Sequence, residues 1–322
     1  MEVSGKAVLV TGGAGFIGSH LADRLVDLAS EVIVFDNLSA GRLSNLGGCL
    51  KRRNFRFVKG DLLDPKAISK AVERCDLIFH LAANPEVRIG AEDARIDFKQ
   101  NLVATRNLLE AARKAKVEGV AFTSTSTVYG EASRMPTPED YGPLKPISLY
   151  GASKLGCEAL LSAYSHLFGF ASVIYRFANV VGSRSRHGVI YDFIRKLMKD
   201  REALEILGDG TQTKSYIYVS DCVDAILFGL RHSREDVEVF NIGSEDQISV
   251  TAIAKIVIEE MGLKNVKLRF TGGVGGRGWP GDVKLMLLSV QKLKKLGWRP
   301  KYSSAEAVRR ASRELMKELK AF

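Results

Sequence analysis

Residues 7–18 read AVLVTGGAGFIG, an apolar, β-branched run that leads directly into three spaced glycines. The run has the composition of a buried strand, and the residues after it follow a helical pattern. Gly12 at the junction permits a tight turn, Gly15 lets backbone amides approach a pyrophosphate, and Gly18 lets the helix pack closely on the strand. The segment therefore predicts a strand–turn–helix unit that binds a dinucleotide at the start of its helix.

Beyond this unit, short β-branched runs alternate with amphipathic stretches through the first half of the chain. Strands are predicted at 7–11, 31–35, 55–59, 77–81, 120–124 and 172–176, and helices at 17–28, 65–72, 99–114 and 155–168. Such alternation is typical of a parallel sheet with helices on both faces. We therefore predict an α/β protein with a doubly wound parallel sheet, a Rossmann fold.

After residue 176 the alternation weakens into loops, a helix near 191–198, short strands and two late helices around Leu293 and Ala307. No low-complexity linker separates this region from the first. We expect a dinucleotide-binding domain at 1–176, with a later return to it near 219–243. The region 177–322 is expected to form mainly a smaller, C-terminal substrate-binding lobe.

The second predicted strand ends in Asp36, eighteen residues after Gly18. A carboxylate at this point accepts hydrogen bonds from the adenine ribose and repels a 2′-phosphate, so NAD is favoured over NADP. Arg42 lies close enough to reach such a phosphate, although an exposed loop cation is the simpler interpretation. Asp61 and the run 81–83 follow later strands, so they are expected at the same ligand-binding edge of the sheet.

Tyr150 and Lys154 occur in the run YGASK at the start of a helical stretch. Their spacing places both side chains on one helix face, one turn apart. An ammonium held near a tyrosine favours the phenolate, which would lower the pKa of Tyr150 and make it a base. The run TSTSTVYG at 123–130 leaves a strand and offers hydroxyl groups that could orient the proton. We therefore predict a Tyr–Lys acid–base pair beside the bound cofactor.

The formal net charge of +10 resides in the C-terminal part of the chain. From residue 251 onward there are 16 Lys and Arg against 6 Asp and Glu, and the first 250 residues are balanced. A basic region of this kind fits a nucleic-acid binder, a lobe that receives a diphosphate, or an ordinary solvated surface.

The cysteines and the first residues bound the class of protein further. Four widely spaced cysteines and five histidines form no metal-binding pattern, which predicts reduced thiols and no metal. No apolar stretch before the first strand has the length of a signal peptide or a membrane span. We therefore expect a cytoplasmic protein.

Several motifs together resemble the extended short-chain dehydrogenase/reductases that modify nucleotide sugars, and within them the UDP-glucose (UDP-galactose) 4-epimerase family. They are TGGAGFIG, DNLS, GDL, HLAA, the asparagine at 101, TSTSTVYG, YGASK, YRFANVVG, WPGD and LGWRP. The resemblance covers nearly the whole chain. It implies retained NAD, a UDP-sugar substrate, a homodimer, and no nucleic-acid or membrane partner.

The resemblance also implies roles for individual residues. Tyr150 is the acid and base, Lys154 is its partner, and Thr125 shares a hydrogen bond with the sugar O4. Cofactor contacts are expected at Gly12, Gly15, Phe16, Ile17, Gly18, Asp36, Asn37, Ser39, Gly41, Asp61, Leu62, Leu81, Ala82, Ala83, Asn101, Thr123, Tyr150, Lys154, Tyr175 and Phe177. Substrate contacts are expected at Thr125, Tyr150, Asn179, Val189, Lys214, Arg277, Asp282 and Met286.

One comparison within the family narrows the activity. Relatives that dehydrate or decarboxylate the sugar carry acidic groups two or three positions before the VYG tyrosine, where this chain has Ser126 and Thr127. Without a carboxylate there, elimination of the C6 hydroxyl lacks its acid and base. We therefore expect interconversion of UDP-glucose and UDP-galactose through a 4-keto sugar.

Two other functions are alternatives to this activity. An epimerase of UDP-N-acetylhexosamines or UDP-uronates is the nearest alternative, and the bulk of Met286 near the sugar argues against N-acetyl groups. A non-catalytic NAD-sensing or nucleic-acid-binding protein is the alternative from another class.

The chain departs from the family motifs at two positions. Trp279 and Lys214 each stand where relatives usually have an arginine, and lysine does not replace arginine in bidentate phosphate binding. Arg277 is expected to serve the diphosphate instead.

Overall fold

The computed structural model describes residues 1–320, which form two compact units. The first unit comprises Met1–Val128, Leu149–Arg176 and Val223–Phe240. The second comprises Tyr129–Ser148, Phe177–Cys222 and the chain from Asn241 onward. The expected division at residue 176 stays a prediction, and the structure groups the segment 129–148 with the second unit rather than the first.

Strands and helices alternate along the first half of the chain, and mostly shorter strands follow in the second half. The first half contains β1 (Ala7–Thr11), α1 (Phe16–Leu25), β2 (Glu31–Asp36), β3 (Phe55–Lys59), α2 (Pro65–Val72), β4 (Leu77–His80), α3 (Ala94–Asp97), a π-helical segment (Phe98–Val103), α4 (Ala104–Ala115), β5 (Gly119–Thr125), α5 (Leu149–Phe168) and β6 (Ala171–Phe177). The second half contains β7 (Asn179–Val181), α6 (Val189–Lys199), β8 (Ala203–Ile206), β9 (Thr213–Lys214), β10 (Tyr216–Tyr218), α7 (Val219–His232), β11 (Val237–Ile242), β12 (Ile248–Ser249), α8 (Val250–Glu260), β13 (Lys267–Phe270), β14 (Leu285–Met286), α9 (Gln291–Leu296) and α10 (Ser304–Lys320).

A seven-stranded parallel sheet in the order β11-β6-β5-β4-β1-β2-β3 organises the first unit. The buried run EVIVFD of β2 pairs in parallel with β1 from Glu31 opposite Ala7 to Phe35 opposite Thr11. The strand order reverses between β1 and β4, and ligands of doubly wound sheets bind outside the carboxyl ends of the strands at that point. The predicted fold class is confirmed.

Apolar side chains from the sheet and its helices form the core of the first unit. Leu9 and Ile33 of the central strands are fully buried against Ile68 of α2 and Leu108 of α4. Helix α2 begins where Asp64 accepts hydrogen bonds from the amides of the first turn and a proline follows it, a combination that favours helix initiation. The core thereby fixes the strand ends that carry the candidate site.

The structure differs from the predicted elements in several places, and α1 ends at Leu25, three residues before its predicted end. Helix α5 begins at Leu149, six residues before the predicted start, so Tyr150 lies in its first turn. The stretch predicted as one helix at 99–114 contains the π-helical segment and is preceded by α3. Helices α7 and α8 were not predicted, whereas the expected return of the chain to the main sheet is β11 at its edge.

The second unit contains three small sheets, ordered β10-β7, β12-β9-β14 and β13-β8. Helices α6, α8 and α10 pack against one another and bury apolar residues such as Phe193, Ile253 and Val308. None of the helices within residues 1–320 has the length and apolarity needed to cross a bilayer.

Candidate active site

The glycine turn between β1 and α1 has the geometry of a close backbone approach. Gly12 has a φ of +69°, and a Cβ there would lie 2.7 Å from the backbone nitrogen of Ala82. A Cβ on Gly18 would lie 2.3 Å from the Gly12 carbonyl oxygen, so only glycine allows α1 to pack this closely. Gly15 is the N-cap of α1, followed by the partly exposed Phe16 and Ile17. This glycine-lined helix N-terminus fits a dinucleotide diphosphate.

Asp36 ends β2 beside this turn. Its Oδ2 accepts a hydrogen bond from the Ala14 amide at 3.0 Å, and its Oδ1 accepts one from the Leu38 amide at 2.8 Å. Burial raises the pKa of the Asp36 carboxyl, while the two backbone donors act in the opposite direction. The two bonds leave each oxygen a lone pair for ribose hydroxyls. Arg42 has an exposed side chain, and its amide donates to the Ala14 carbonyl oxygen at 2.9 Å, which fits a loop cation.

The neighbouring strand ends bring further predicted residues to this edge. Asn37 Nδ2 donates to Asp61 Oδ2 at 3.1 Å, and Asn37 Oδ1 accepts from the Ser39 amide at 2.9 Å. A Cβ on Gly41 would lie 2.9 Å from Asp36 Oδ2. The edge therefore also includes residues expected as cofactor contacts: Asn37, Ser39, Gly41, Asp61 and the buried Leu62.

The end of β4 is tied to β1 through a buried histidine. His80 Nδ1 lies 2.8 Å from Thr11 Oγ1, and Nε2 lies 2.9 Å from Thr105 Oγ1. Burial lowers the pKa of His80 to about 3, so the imidazole is neutral at physiological pH. The Leu81 amide donates to the Thr11 carbonyl oxygen at 3.1 Å, which fixes the partly buried run of Leu81, Ala82 and Ala83 against the glycine turn.

Lys154 is the buried member of the predicted Tyr–Lys pair on α5. Its side chain is 2% exposed, and Nζ donates to the Thr123 carbonyl oxygen at 2.8 Å. Nζ also lies 4.6 Å from the centre of the Phe122 ring, a cation–π contact. Burial lowers the pKa of Lys154 to about 8, and the nearby Cys157, Glu158 and Asp97 oppose this shift. The ammonium is therefore the major form at neutral pH.

Tyr150 lies one turn before Lys154, and its pKa is the point at which the expectation is wrong. We expected the ammonium to lower the pKa of the phenol. Instead, burial raises the pKa of Tyr150 above its ordinary value, and the charge of Asp97 adds to the rise. The physical reason is that desolvation by burial disfavours the charged phenolate.

The end of β5 presents the predicted hydroxyl groups. Thr123 is buried, and its hydroxyl donates to the His80 carbonyl oxygen at 3.3 Å. Thr125 is partly exposed, and its Oγ1 lies 3.2 Å from both the amide and the hydroxyl oxygen of Thr127. Ser126 begins a short 3-10 turn and is also partly exposed. This strand end therefore carries hydroxyls, not carboxylates, at 125–127.

Asn101 lies in the π-helical segment and is 2% exposed. Its Nδ2 donates to Ser153 Oγ at 2.9 Å, and its Oδ1 accepts from the Asn84 amide at 3.0 Å. Ser153 Oγ in turn donates to the Tyr150 carbonyl oxygen at 2.8 Å. Asn101 thus supports the first turn of α5, and π-bulges of this kind are frequent at functional sites.

Two buried acidic residues near the Tyr–Lys pair were not predicted from the sequence. Glu158, one turn after Lys154, forms a buried ion pair with Arg176 at 2.7 Å and accepts from Ser124 Oγ at 2.5 Å. Asp97, one turn before Asn101, is 1% exposed. The sequence signal for both was an acidic residue four positions from a predicted site residue, a spacing that shares a helix face.

Tyr175 does not join these residues. Its ring is fully buried and lies 6.2 Å from the ring of Phe240, and its hydroxyl donates to the Ile226 carbonyl oxygen at 2.7 Å. The side chain therefore offers no free polar group to a cofactor. Phe177, at the end of the same strand, belongs to the second unit and is 7% exposed.

Most residues expected to bind the substrate belong to the second unit. Lys214 of β9 pairs with Asp282 at 2.5 Å, and Met286 of β14 lies opposite Lys214 in the sheet. Asn179 Nδ2 donates to the Ser215 carbonyl oxygen at 3.3 Å, and Val189 begins α6.

The second unit also contains Arg277, which was expected to contact the diphosphate, and Trp279, which stands where relatives usually have an arginine. Arg277 forms an ion pair with Glu131, and the Trp279 ring lies against Gly281.

The cysteines and acidic residues can also be placed. All four cysteines are free thiols and buried. Within the described part of the chain, no cluster of three or more His, Cys, Asp or Glu residues could hold a metal ion.

Comparisons with known proteins agree with this geometry. Residues 8–243 match the model of the NAD dependent epimerase/dehydratase family. A crystal structure of UDP-galactose 4-epimerase is 45% identical, with a TM-score of 0.87 over 97% of this chain and 99% of its own. The putative UDP-glucose 4-epimerase of Methanocaldococcus jannaschii is 34% identical over 94% of this chain and 96% of its own. The human dTDP-D-glucose 4,6-dehydratase is 32% identical over 95% of this chain and 88% of its own.

Similar solved structures also include a UDP-N-acetylglucosamine 4-epimerase, which is 29% identical, and a UDP-glucuronic acid 4-epimerase, which is 30% identical. The expected family resemblance and the expected NAD cofactor are confirmed. The chain, matched over residues 8–243, belongs to the NAD dependent epimerase/dehydratase family.

Proposed function

We propose that this protein is a UDP-glucose 4-epimerase that interconverts UDP-glucose and UDP-galactose. The observation that carries the proposal is the arrangement at the ends of β5 and α5. Tyr150 lies one turn before the buried Lys154, and the adjacent strand end carries hydroxyl side chains at 125–127 where a dehydratase would need carboxylates. Epimerisation requires a proton carrier and a hydride acceptor but no acid–base pair at C5 and C6.

The residues of the first unit divide the chemistry among themselves. When bound, NAD supplies the hydride acceptor and the positive charge of its oxidised nicotinamide ring. In its phenolate form, Tyr150 takes the proton from the sugar O4 and later returns it to the same oxygen. Lys154 carries a positive charge one helical turn from Tyr150, and Thr125 orients the O4 proton by a hydrogen bond. Asp36 and the turn from Gly12 to Gly18 hold the cofactor.

Inversion at C4 follows from this division. After oxidation, the 4-keto sugar turns within the site and receives the hydride on its opposite face. The proton taken from O4 stays on Tyr150 until the hydride returns to C4. Ser126 and Thr127 lack a pKa suited to elimination between C5 and C6, so return of the hydride is expected to outrun dehydration. No net oxidation occurs, and NAD is retained.

In the second unit, the proposal assigns the nucleotide sugar to Asn179, Val189, Lys214, Arg277, Asp282 and Met286. The Lys214–Asp282 pair holds a positive side chain in a defined place, and Arg277 supplies a guanidinium suited to a diphosphate. Met286 is 7% exposed beside Lys214, which supports a compact sugar pocket. UDP-N-acetylhexosamines and UDP-uronates are the competing substrates.

The decisive experiment uses UDP-galactose carrying deuterium at C4. Purified protein without added NAD is expected to convert it to UDP-glucose with the label retained on C4, as read by NMR. Parallel incubations with UDP-N-acetylgalactosamine and UDP-glucuronate rank the competing substrates. Deuterium lost to solvent, or a 4-keto-6-deoxy sugar as the main product, would exclude the proposed cycle.

The remaining expectations belong to the same proposal: a cytoplasmic homodimer without a nucleic-acid partner. The dimer is tested by light scattering after size-exclusion chromatography. The nucleic-acid alternative, which rests on the basic C-terminal region, predicts DNA affinity that falls steeply with salt. Such affinity in a protein that binds no sugar nucleotide would favour that alternative over the epimerase.

A further inference from the structure

Asp97 is a buried acid beside the Tyr–Lys pair that the proposed cycle does not use. Its Oδ1 accepts hydrogen bonds from Asn84 Nδ2 at 3.0 Å and Asn101 Nδ2 at 3.4 Å. Its Oδ2 is buried and has no hydrogen-bond partner within residues 1–320. Because an unpartnered buried carboxylate oxygen is costly, its retention here calls for an account in terms of function.

The backbone around Asp97 leaves room for this oxygen. A Cβ on Gly90 would lie 2.2 Å from Asp97 Oδ2, so a side chain at position 90 would collide with the carboxyl group. The same Cβ would lie 3.3 Å from the Cβ of Leu149, the residue immediately before Tyr150. The carboxyl is therefore enclosed between the segment around Gly90 and the first turn of α5.

The charged groups around Asp97 separate into paired surface residues and the catalytic pair. On its own helix, Asp93 pairs with Arg95, and in the preceding segment Glu86 pairs with Arg88, all four at the surface. On the side of β4, His80 is neutral.

From α5, two titratable groups interact electrostatically with Asp97: Tyr150 and Lys154. The buried acid of α5 itself, Glu158, is already paired with Arg176. Asp97 is thus the buried acid near Lys154 whose charge no arginine or lysine contacts directly among the described residues.

We propose that Asp97 is a positioning residue that sets the protonation of the Tyr150–Lys154 pair through its charge. It holds the proton on Tyr150 and the positive charge on Lys154. This inference rests on the proposed roles of Tyr150 and Lys154. In the proposed cycle, the carboxylate keeps the proton taken from O4 on the phenol until the hydride returns.

The electrostatics agree in direction with the geometry. The charge of Asp97 raises the pKa of Tyr150 and also raises the pKa of Lys154. Burial raises the pKa of Asp97 itself, and the charge of Lys154 opposes that rise. Removing the carboxylate should therefore move both members of the pair in the same direction, toward lower pH.

The test is Asp97→Asn in the NAD-loaded protein, which replaces one carboxylate oxygen by an amide of nearly the same size. Tyrosines labelled with ¹³C at Cζ are titrated by NMR, and the Tyr150 resonance is the one lost in Tyr150→Phe. We expect the Tyr150 midpoint to fall by about one pH unit. Both limbs of the pH profile of kcat/KM should move to lower pH by a similar amount, because Tyr150 must lose and Lys154 must keep its proton.

The matched control is Asp93→Asn, which removes an exposed carboxylate from the N-cap of the same helix and retains a residue suited to that cap. It should move neither the Tyr150 resonance nor the pH profile. Because the NMR midpoint requires no turnover, it tests the role of Asp97 even if UDP-glucose is the wrong substrate.

Three outcomes would overturn the proposal. The first is an unchanged Tyr150 midpoint in Asp97→Asn, and the second is a fall in activity at every pH without displacement of the limbs. If Asp97→Asn does not fold, Asp97→Ser provides a second charge-free variant for the same titration. Failure of both variants to fold, the third outcome, would make Asp97 a structural residue.

Discussion

Replacement of Lys154 by methionine should stabilise the first unit while abolishing catalysis. The ammonium is 2% exposed, and its pKa is lowered from 10.5 to about 8 by burial. A lowering of this size corresponds to about 3 kcal/mol of unfavourable charge burial at neutral pH, since one pKa unit is worth about 1.4 kcal/mol. The methionine loses the hydrogen bond to the Thr123 carbonyl oxygen, which costs about 1 kcal/mol. The expected net gain at pH 7 is about 2 kcal/mol.

The gain should depend on pH in a defined direction. Because the folded pKa of Lys154 lies below the unfolded value, the unfolded chain binds more protons between pH 8 and pH 10.5. Wild-type stability therefore gains a contribution as pH rises through this window, and the Lys154→Met variant gains none from this residue. At about pH 9.5 the difference between the two proteins should fall close to zero.

The assay must report on the first unit, and both tryptophans, Trp279 and Trp298, belong to the second. Protein stripped of NAD is equilibrated in urea and labelled with a short hydrogen-exchange pulse, and peptides from α5 are read by mass spectrometry. Lys99→Met, at an exposed position, is the control and should shift neither the urea midpoint nor its pH dependence. A Lys154→Met variant that is no more stable than wild type at pH 7, with a difference unchanged at pH 9.5, would refute the reasoning.

Three further perturbations test the site. Tyr150→Phe should lower turnover by about 10²- to 10⁴-fold and leave the amount of bound NAD unchanged. Product formation measures the turnover, and chromatography of the released cofactor measures the NAD. Wild-type turnover in this variant would show that Tyr150 is not the proton carrier. Asp36→Ala should narrow the preference for NAD over NADP in binding titrations, and equal binding by the wild type would show that the carboxylate does not discriminate. Gly18→Ala should lower stability by about 1–3 kcal/mol in thermal unfolding, because the new methyl would lie 2.3 Å from the Gly12 carbonyl oxygen. Gly47→Ala is the control, because its new methyl would lie 3.6 Å from the Ser44 carbonyl oxygen and should change the thermal unfolding midpoint little.

Those features of the fold that depend on local pattern could be predicted from the sequence. The strands at 7–11 and 55–59 and the helix at 65–72 have the predicted bounds, because apolar runs and a helix-starting Asp-Pro pair specify them locally. The early start of α5 could not be predicted in this way. Its first turn contains the exposed Leu149 and the small residues Gly151 and Ala152, so the apolar periodicity begins only at Leu155.

The contacts that define the site depend on residues far apart in the chain. Lys214 and Asp282 are separated by 68 positions, and no periodicity relates them. The π-helical segment at Asn101 was also not predicted, because one wider turn leaves the amphipathic pattern of the stretch nearly unchanged. The side chain of Tyr175 is directed by tertiary packing against Phe240, and its position in a family motif did not indicate this.

The raised pKa of Tyr150 bears on what the pair does. A general base is usually argued from a lowered pKa, yet the described residues favour the protonated phenol through burial and through Asp97. A carrier that must keep a proton while a ketose turns over needs a phenol that holds it, and a neutral imidazole at His80 offers no competing charge. In the proposed cycle, the positive charge of Lys154 would limit the cost of a transient phenolate. In the proposed cycle, the absence of net oxidation depends on return of the hydride to C4, and Tyr150 is expected to return the proton to O4 in the same step.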